Sequence, residues 1–201
     1  MLDRWGAQQI QPMVQRLART AHRLGLSANA ITLIGFALGL LAALSIAQAH
    51  YLSGALLIAL SRLADGLDGA VARLTQPTDA GGFLDITLDF LFYASIPLAF
   101  AWADPPRNAL PAAVLLASFI GTGSSFLAFA VLAAKRQMHN PAMPNKSFYF
   151  LGGLTEATET LACFWAMCFW PESFIELAYG FAALCVMTTV MRIVWGWQRL
   201  R

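Results

Sequence analysis

From Leu24 to Ser61 the chain holds no Asp, Glu, Lys or Arg. A water-facing surface would break such a run with charges, whereas a lipid bilayer accepts it. Only a helix satisfies its own backbone polar groups in hydrocarbon, and one span takes about 20 residues. The run is therefore two spans, divided by "QAHYLSG". Composition agrees: 58% of residues are hydrophobic and 12% charged, against about 25% charged in an ordinary soluble domain. The net charge of +2 is too small to imply a nucleic-acid partner.

Extended along the chain, the same pattern predicts an all-α integral membrane protein with six spans. They run over Ala30–Gln48, Leu52–Leu74, Gly82–Ala103, Ala109–Ala134, Phe148–Trp170 and Phe174–Trp195. Ahead of them an amphipathic helix carries Ile10, Met13, Val14, Leu17, Ala21 and Leu24 on one side and Arg16, Arg19 and Arg23 on another. That suits a helix lying in the membrane interface, basic groups toward headgroups. The whole chain, 1–201, then forms one domain: an interfacial helix over 1–28 and a six-helix bundle over 29–201. Cys163, Cys168 and Cys185 lie in apolar runs without metal-ligand spacing and read as packing residues. Trp102, Trp170, Trp195 and Trp197 near span ends fit an aromatic belt. The "GTGSS" run at Gly121–Ser125 gives span four a thin face for close helix packing, within the chain or against a second copy.

Lys and Arg in the connections set the orientation. With a cytoplasmic N terminus, Arg4, Arg16, Arg19, Arg23, Arg73, Lys135, Arg136, Lys146, Arg199 and Arg201 fall on one side, and the other keeps only Arg107. Both termini, and the facing ends of spans two and three, are then cytoplasmic.

Those ends carry the anomaly. "ADGLDGAVARLTQPTDAGGFLDITLDF" brings Asp65, Asp68, Asp85 and Asp89 into apolar helices. Asp65 and Asp68 are three apart, Asp85 and Asp89 four apart, so each pair shares a helix face. The short loop "TQPTDA" makes the two spans neighbours, and the four carboxylates can converge. Each ionised acid at membrane depth costs about 2.5–3.5 kcal/mol on insertion scales. A divalent cation offsets both that cost and the mutual repulsion. Oxygen ligands without His or Cys favour a hard ion, Mg²⁺ or Mn²⁺, and such ions commonly take substrate phosphates as further ligands. Gly66, Gly69, Gly81 and Gly82 allow close backbone approach, and Arg73 offers a cation to a phosphate. A purely structural alternative makes the acids an ion-pair set, with Arg62 opposite Asp65 and Arg73 opposite another.

The order Asp65-x-x-Asp68-Gly69-x-x-Ala72-Arg73, then Gly81-x-x-x-Asp85-x-x-x-Asp89, resembles the signature of the CDP-alcohol phosphatidyltransferases. The six-span layout agrees along the whole chain, which looks closest to bacterial inner-membrane members. One departure is in the loop: the family spacing puts eight residues between Arg and Gly, whereas seven separate Arg73 from Gly81. Counting to Gly82 restores eight and shortens the next gap. The resemblance implies Asp65, Asp68 and Asp85 as ligands of divalent metal, Mg²⁺ or Mn²⁺ and two ions. Asp89 would be the general base and a possible fourth ligand. It also implies a CDP-linked lipid such as CDP-diacylglycerol, with Gly69, Ala72, Arg73 and one of Gly81 and Gly82 at the cytidine nucleotide. A phosphatidyl group would pass to a polar alcohol, CMP would leave, and the enzyme would be a homodimer in the bacterial inner membrane, its active site cytoplasmic.

The acceptor is less constrained. Glu156 and Glu159 in "GGLTEATET" share a face at a depth comparable to the aspartates and suit a cationic acceptor, or pair with Arg192. Lys135, Arg136, Lys146 and Arg192 suit a phosphorylated one, with a lean toward a polyol phosphate such as glycerol 3-phosphate. Two rivals remain. A UbiA-like prenyltransferase would separate its acid motifs into two halves of a longer chain and has no use for Gly69, Ala72 and Arg73. A cation- or proton-coupled transporter would show repeats and broken helices in both halves.

Overall fold

The structure, a computed structural model, describes residues 2–138 and 153–201, with side chains from residue 12 onward. Among the described residues the protein is all-helical. Its elements are α1 (Leu2–Arg23), α2 (Ala28–Ala47), α3 (Tyr51–Leu74), α4 (Asp79–Ala103), α5 (Pro105–Lys135), α6 (Ala157–Phe169) and α7 (Phe174–Leu200). A 3-10 turn, Pro171–Ser173, joins α6 to α7.

Local chemistry sets the helix ends. α1 stops where Gly25 takes φ +77°. The amide of Gly25 then bonds the carbonyl of His22, and that of Leu26 the carbonyl of Ala21, each at 3.0 Å. This is the paired C-terminal motif that glycine makes accessible. The Ser27 hydroxyl caps α2 by accepting from Ala30 N at 3.2 Å, and Thr78 caps α4 by accepting from Gly81 N at 3.1 Å. Asp104 caps α5, with Pro105 at the first helical position, where a missing N–H costs nothing.

Four helices are long and apolar enough to cross a membrane: α2, α4, α5 and α7 with its preceding turn. The remaining two of the six expected spans look different. α3 has the length but carries Arg62, Asp65, Asp68 and Arg73 in its second half. α6 has only 13 residues and begins at Ala157. A continuous helix from Phe148 is therefore corrected: residues 153–156 are non-helical, and 148–152, with Lys146, lie outside the described residues.

α2 packs against α3 and α4, α4 against α5, and α5 against α7; α6 touches α3 and α7. The core joins Ile46, Ile58, Phe92, Phe100, Phe164 and Phe174, contributed by α2, α3, α4, α6 and α7. Phe100 and Phe174 stack with centroids 4.7 Å apart. Glycines let the backbones close in. A Cβ on Gly39 would come within 2.6 Å of the Phe92 ring, and one on Gly35 within 3.1 Å of Ala64 Cβ. The thin face of α5 is used inside the chain: Gly121 faces Thr189 of α7, and Gly123 faces Phe90 of α4. Large apolar side chains such as Leu52, Ile120 and Val131 stay more than 60% exposed, as lipid-facing residues do.

α1 docks on α3. Ala18 and Ala21 are buried against Ile31, Ala70 and Val71, with Val14 beside them. The stripe is narrower than the sequence suggests: Met13, Leu17 and Leu24 remain 51%, 40% and 74% exposed. α1 thus uses its small residues for protein contact and leaves larger ones exposed.

Candidate active site

α3 and α4 run antiparallel across the four-residue link 75–78, so their facing ends share one level. Asp65 and Asp68 lie in the last turns of α3, Asp85 and Asp89 in the first turns of α4. Asp65, Asp68 and Asp85 each bring a carboxylate oxygen into a group within 4.8 Å of one another. Asp68 is 5% exposed, and its Oδ2 is buried with no hydrogen-bond partner among the described residues. Leaving a buried acceptor unsatisfied costs about 1–3 kcal/mol, more for a charged group. Three converging carboxylates with an orphaned oxygen among them fit a divalent cation, and an all-oxygen donor set fits a hard one.

Asp89 stands apart from that group. Its Oδ1 accepts from Arg62 Nη1 at 2.6 Å, while the same nitrogen lies 3.4 Å from Asp65 Oδ1. Arg62 Nη2 donates to Ser61 Oγ at 3.2 Å, and Ser61 Oγ donates to Gly35 O at 2.7 Å. The guanidinium carbon is 4.0 Å from the Phe92 ring centroid, a cation–π contact. The sequence pattern set Arg62 against Asp65 alone; its main partner comes from the next helix, 27 residues on. The available signal was an arginine one turn before the first acid, on the same face, in a segment with four carboxylates. A cleft of about 200 Å³, mouth included, is lined by Thr32, Gly35, Phe36, Arg62, Asp65, Asp85, Leu88 and Asp89.

The residues expected at the nucleotide flank this cleft in sequence and lie at the same end of α3 and α4. A Cβ on Gly66 or Gly82 would meet nothing within 4 Å, and one on Gly69 only the Arg73 guanidinium at 3.4 Å. Ala72 is half-buried and Arg73 exposed. Gly81 differs from Gly82: its Cβ would meet Asn29 Oδ1 at 3.0 Å and Thr78 Oγ1 at 3.1 Å. Gly81 is also one helical turn before Asp85 and shares its face. Gly81 therefore serves the approach of α4 to the start of α2, while Gly82 borders open space.

The residues expected at the acceptor do not join the cleft lining. Glu156 and Glu159 are not mid-helix acids. Glu156 is the N-cap of α6, its side chain accepting from the backbone of Glu159, while Glu156 N donates to Glu159 Oε2 at 3.1 Å. This reciprocal capping box explains their spacing. Glu156 Oε1 also accepts from Gly153 N at 3.2 Å. Arg192 of α7 is 8% exposed; its Nη1 donates to Thr122 O at 3.0 Å, and its Nε is buried without a partner among the described residues. Next to it, Thr188 Oγ1 accepts from Leu154 N and Thr155 N, each at 3.2 Å. Lys135 and Arg136 end α5 on the surface.

The family model for CDP-alcohol phosphatidyltransferase matches residues 26–195, and the chain belongs to this family of enzymes. Inner membrane protein YnjF of Escherichia coli (strain K12) is 51% identical over 201 residues, covering 100% of this chain and 98% of the relative. The fold resembles that of Mycobacterium tuberculosis phosphatidylinositol phosphate synthase. The structure of that protein with CDP-DAG bound aligns at TM-score 0.76 and 21% identity, covering 92% of this chain and 94% of the other. Its complex with manganese and citrate aligns at TM-score 0.66 and 22% identity, covering 92% and 88%.

Proposed function

We propose that this multi-pass membrane enzyme transfers a phosphatidyl group from CDP-diacylglycerol to the hydroxyl of a phosphorylated polyol, releasing CMP. The observation that carries the proposal is the carboxylate group of Asp65, Asp68 and Asp85 with its orphaned Asp68 oxygen. Those three residues would hold divalent metal, Mg²⁺ or Mn²⁺, and two ions are expected. Such ions, when bound, neutralise a diphosphate and the charge that develops on it.

The chain's own groups do the rest. Gly66, Gly69 and Gly82 leave open surface for the nucleotide, with Ala72 and Arg73 beside it. Asp89 accepts the proton of the acceptor hydroxyl. The oxygen forms a new bond to the phosphorus bearing the lipid, the bond to the CMP oxygen breaks, and CMP leaves with that electron pair. Arg192, with an unsatisfied buried nitrogen, takes the phosphate of the acceptor, helped by Lys135 and Arg136. Glycerol 3-phosphate is the simplest acceptor of this class; the name of the fold relative, a phosphatidylinositol phosphate synthase, makes inositol phosphate the second to try.

We place α3 and α6 in the membrane with the four long apolar helices, giving six spans, and both termini in the cytoplasm of a bacterial inner-membrane protein. The expected assembly is a homodimer. Purified protein with CDP-diacylglycerol, Mn²⁺ or Mg²⁺ and a panel of alcohols tests the proposal. Metal-dependent CMP release and a new lipid of the expected mass are predicted for a polyol phosphate. Release with no member of the panel would refute it.

A further inference from the structure

The four aspartates of the site do not act as one set. Three converge, and the fourth is bound to Arg62 at 2.6 Å. We propose that Arg62 is a positioning residue that withholds Asp89 from the metal, so that the resting site is a three-carboxylate site for one ion and a second is admitted only when Arg62 lets go. The inference rests on the divalent-metal reading above.

Three features make Arg62 a displaceable cation and not a fixed strut. Its strongest partner, Asp89, is itself about one-third exposed at the cleft. Its contact to Asp65 is longer, 3.4 Å, and competes with any ion drawn to the same carboxylate. Its Nε is buried without a hydrogen-bond partner among the described residues, so the guanidinium is incompletely satisfied where it lies. The face of Phe92 and the Ser61 hydroxyl support it from behind without supplying a counter-charge. Charge arithmetic gives the consequence. Arg62 and Asp89 form a neutral unit beside three negative carboxylates, so the first ion meets the three alone. Asp89, held by Arg62, stays off the first ion.

Mn²⁺ binding to purified full-length protein in detergent, followed by the electron paramagnetic resonance of free Mn²⁺, tests this without reference to turnover. Native protein is expected to bind one ion. Arg62→Gln should bind Mn²⁺ about tenfold more tightly or more, and take a second ion, because Asp89 is released. Asp89→Asn should bind it about tenfold more weakly, because Arg62 is left uncompensated. The double variant Arg62→Gln/Asp89→Asn should return to within about threefold of native, since the neutral unit is removed as a whole. A double variant that stays about tenfold weaker than native makes Asp89 a metal ligand in the resting enzyme and overturns the inference. So does an Arg62→Gln protein with unchanged affinity and one ion. If Arg62→Gln does not elute as folded protein, Arg62→Lys replaces it; its shorter side chain should hold Asp89 less well and tighten Mn²⁺ binding, and native-like affinity in both Arg62→Lys and Asp89→Asn would overturn the inference. No Mn²⁺ binding by native protein at all would instead remove the metal reading on which it rests.

Discussion

Two polar clusters lie within this apolar bundle, and they are built on opposite plans. Between α3 and α4, acids converge, one buried oxygen has no partner among the described residues, and a cleft opens beside them. Between α5, α6 and α7, threonine, glutamate and arginine mostly close on neighbouring backbone. Thr188 takes amides from 154 and 155, Glu156 and Glu159 cap each other, and Arg192 reaches the Thr122 carbonyl. The first cluster leaves carboxylate oxygens open at a cleft; the second is largely a brace for the irregular chain at 153–156. Buried polarity in a membrane protein thus separates by what it leaves unsatisfied.

The largest expected effect probes the first cluster. Asp68→Asn should lower CMP release by about 10²–10³-fold, the scale of losing one charge-stabilising group at such a centre. Its thermal unfolding in detergent should stay close to native. A variant that unfolds early but retains activity would make the acids structural and erase the contrast.

Thr188→Val does the reverse. It strands the amides of Leu154 and Thr155 and should cost about 2 kcal/mol of stability. Mn²⁺ affinity should not move; if it does, the two clusters are coupled and not separate. Arg192→Gln sharpens the comparison, because its Nε is the one unsatisfied group found in the brace among the described residues. The KM for the phosphorylated acceptor should rise about tenfold, one charge-assisted hydrogen bond, with the KM for CDP-diacylglycerol unchanged. An equal rise in both would mean that Arg192 only holds the fold. Smallest is Ser27→Ala at the start of α2, remote from the second cluster. Loss of this cap should cost about 1 kcal/mol or less, read as a small drop in unfolding temperature.

The first cluster was legible in the sequence because its geometry is short-range. Spacings of three and four on two helices joined by a short loop determine which carboxylates meet, and Asp65, Asp68 and Asp85 do meet. Asp89 escaped that logic, since helical spacing gives a face but not a competing partner, and Arg62 is that partner. The second cluster was less legible for a related reason. Glu156 and Glu159 have the spacing of a helix face and also of a capping box, and only the break before Ala157 distinguishes them. Hydropathy read the apolar stretches well at α2, α4, α5 and α7. It could not show that the fifth begins late, because Gly153 and Leu154 pack on Thr188, a contact made 34 or more residues away in sequence. The docking face of α1 was blurred likewise: Ala18 and Ala21, not the larger Leu17, meet α3.

The central claim is that Asp65, Asp68 and Asp85 form a divalent-metal centre. Mn²⁺ titration of native protein and of Asp68→Asn, both confirmed folded by gel filtration in detergent, tests it most directly. The account predicts saturable binding by native protein, weakened about tenfold or more in the variant. Equal affinity in the two proteins would contradict it.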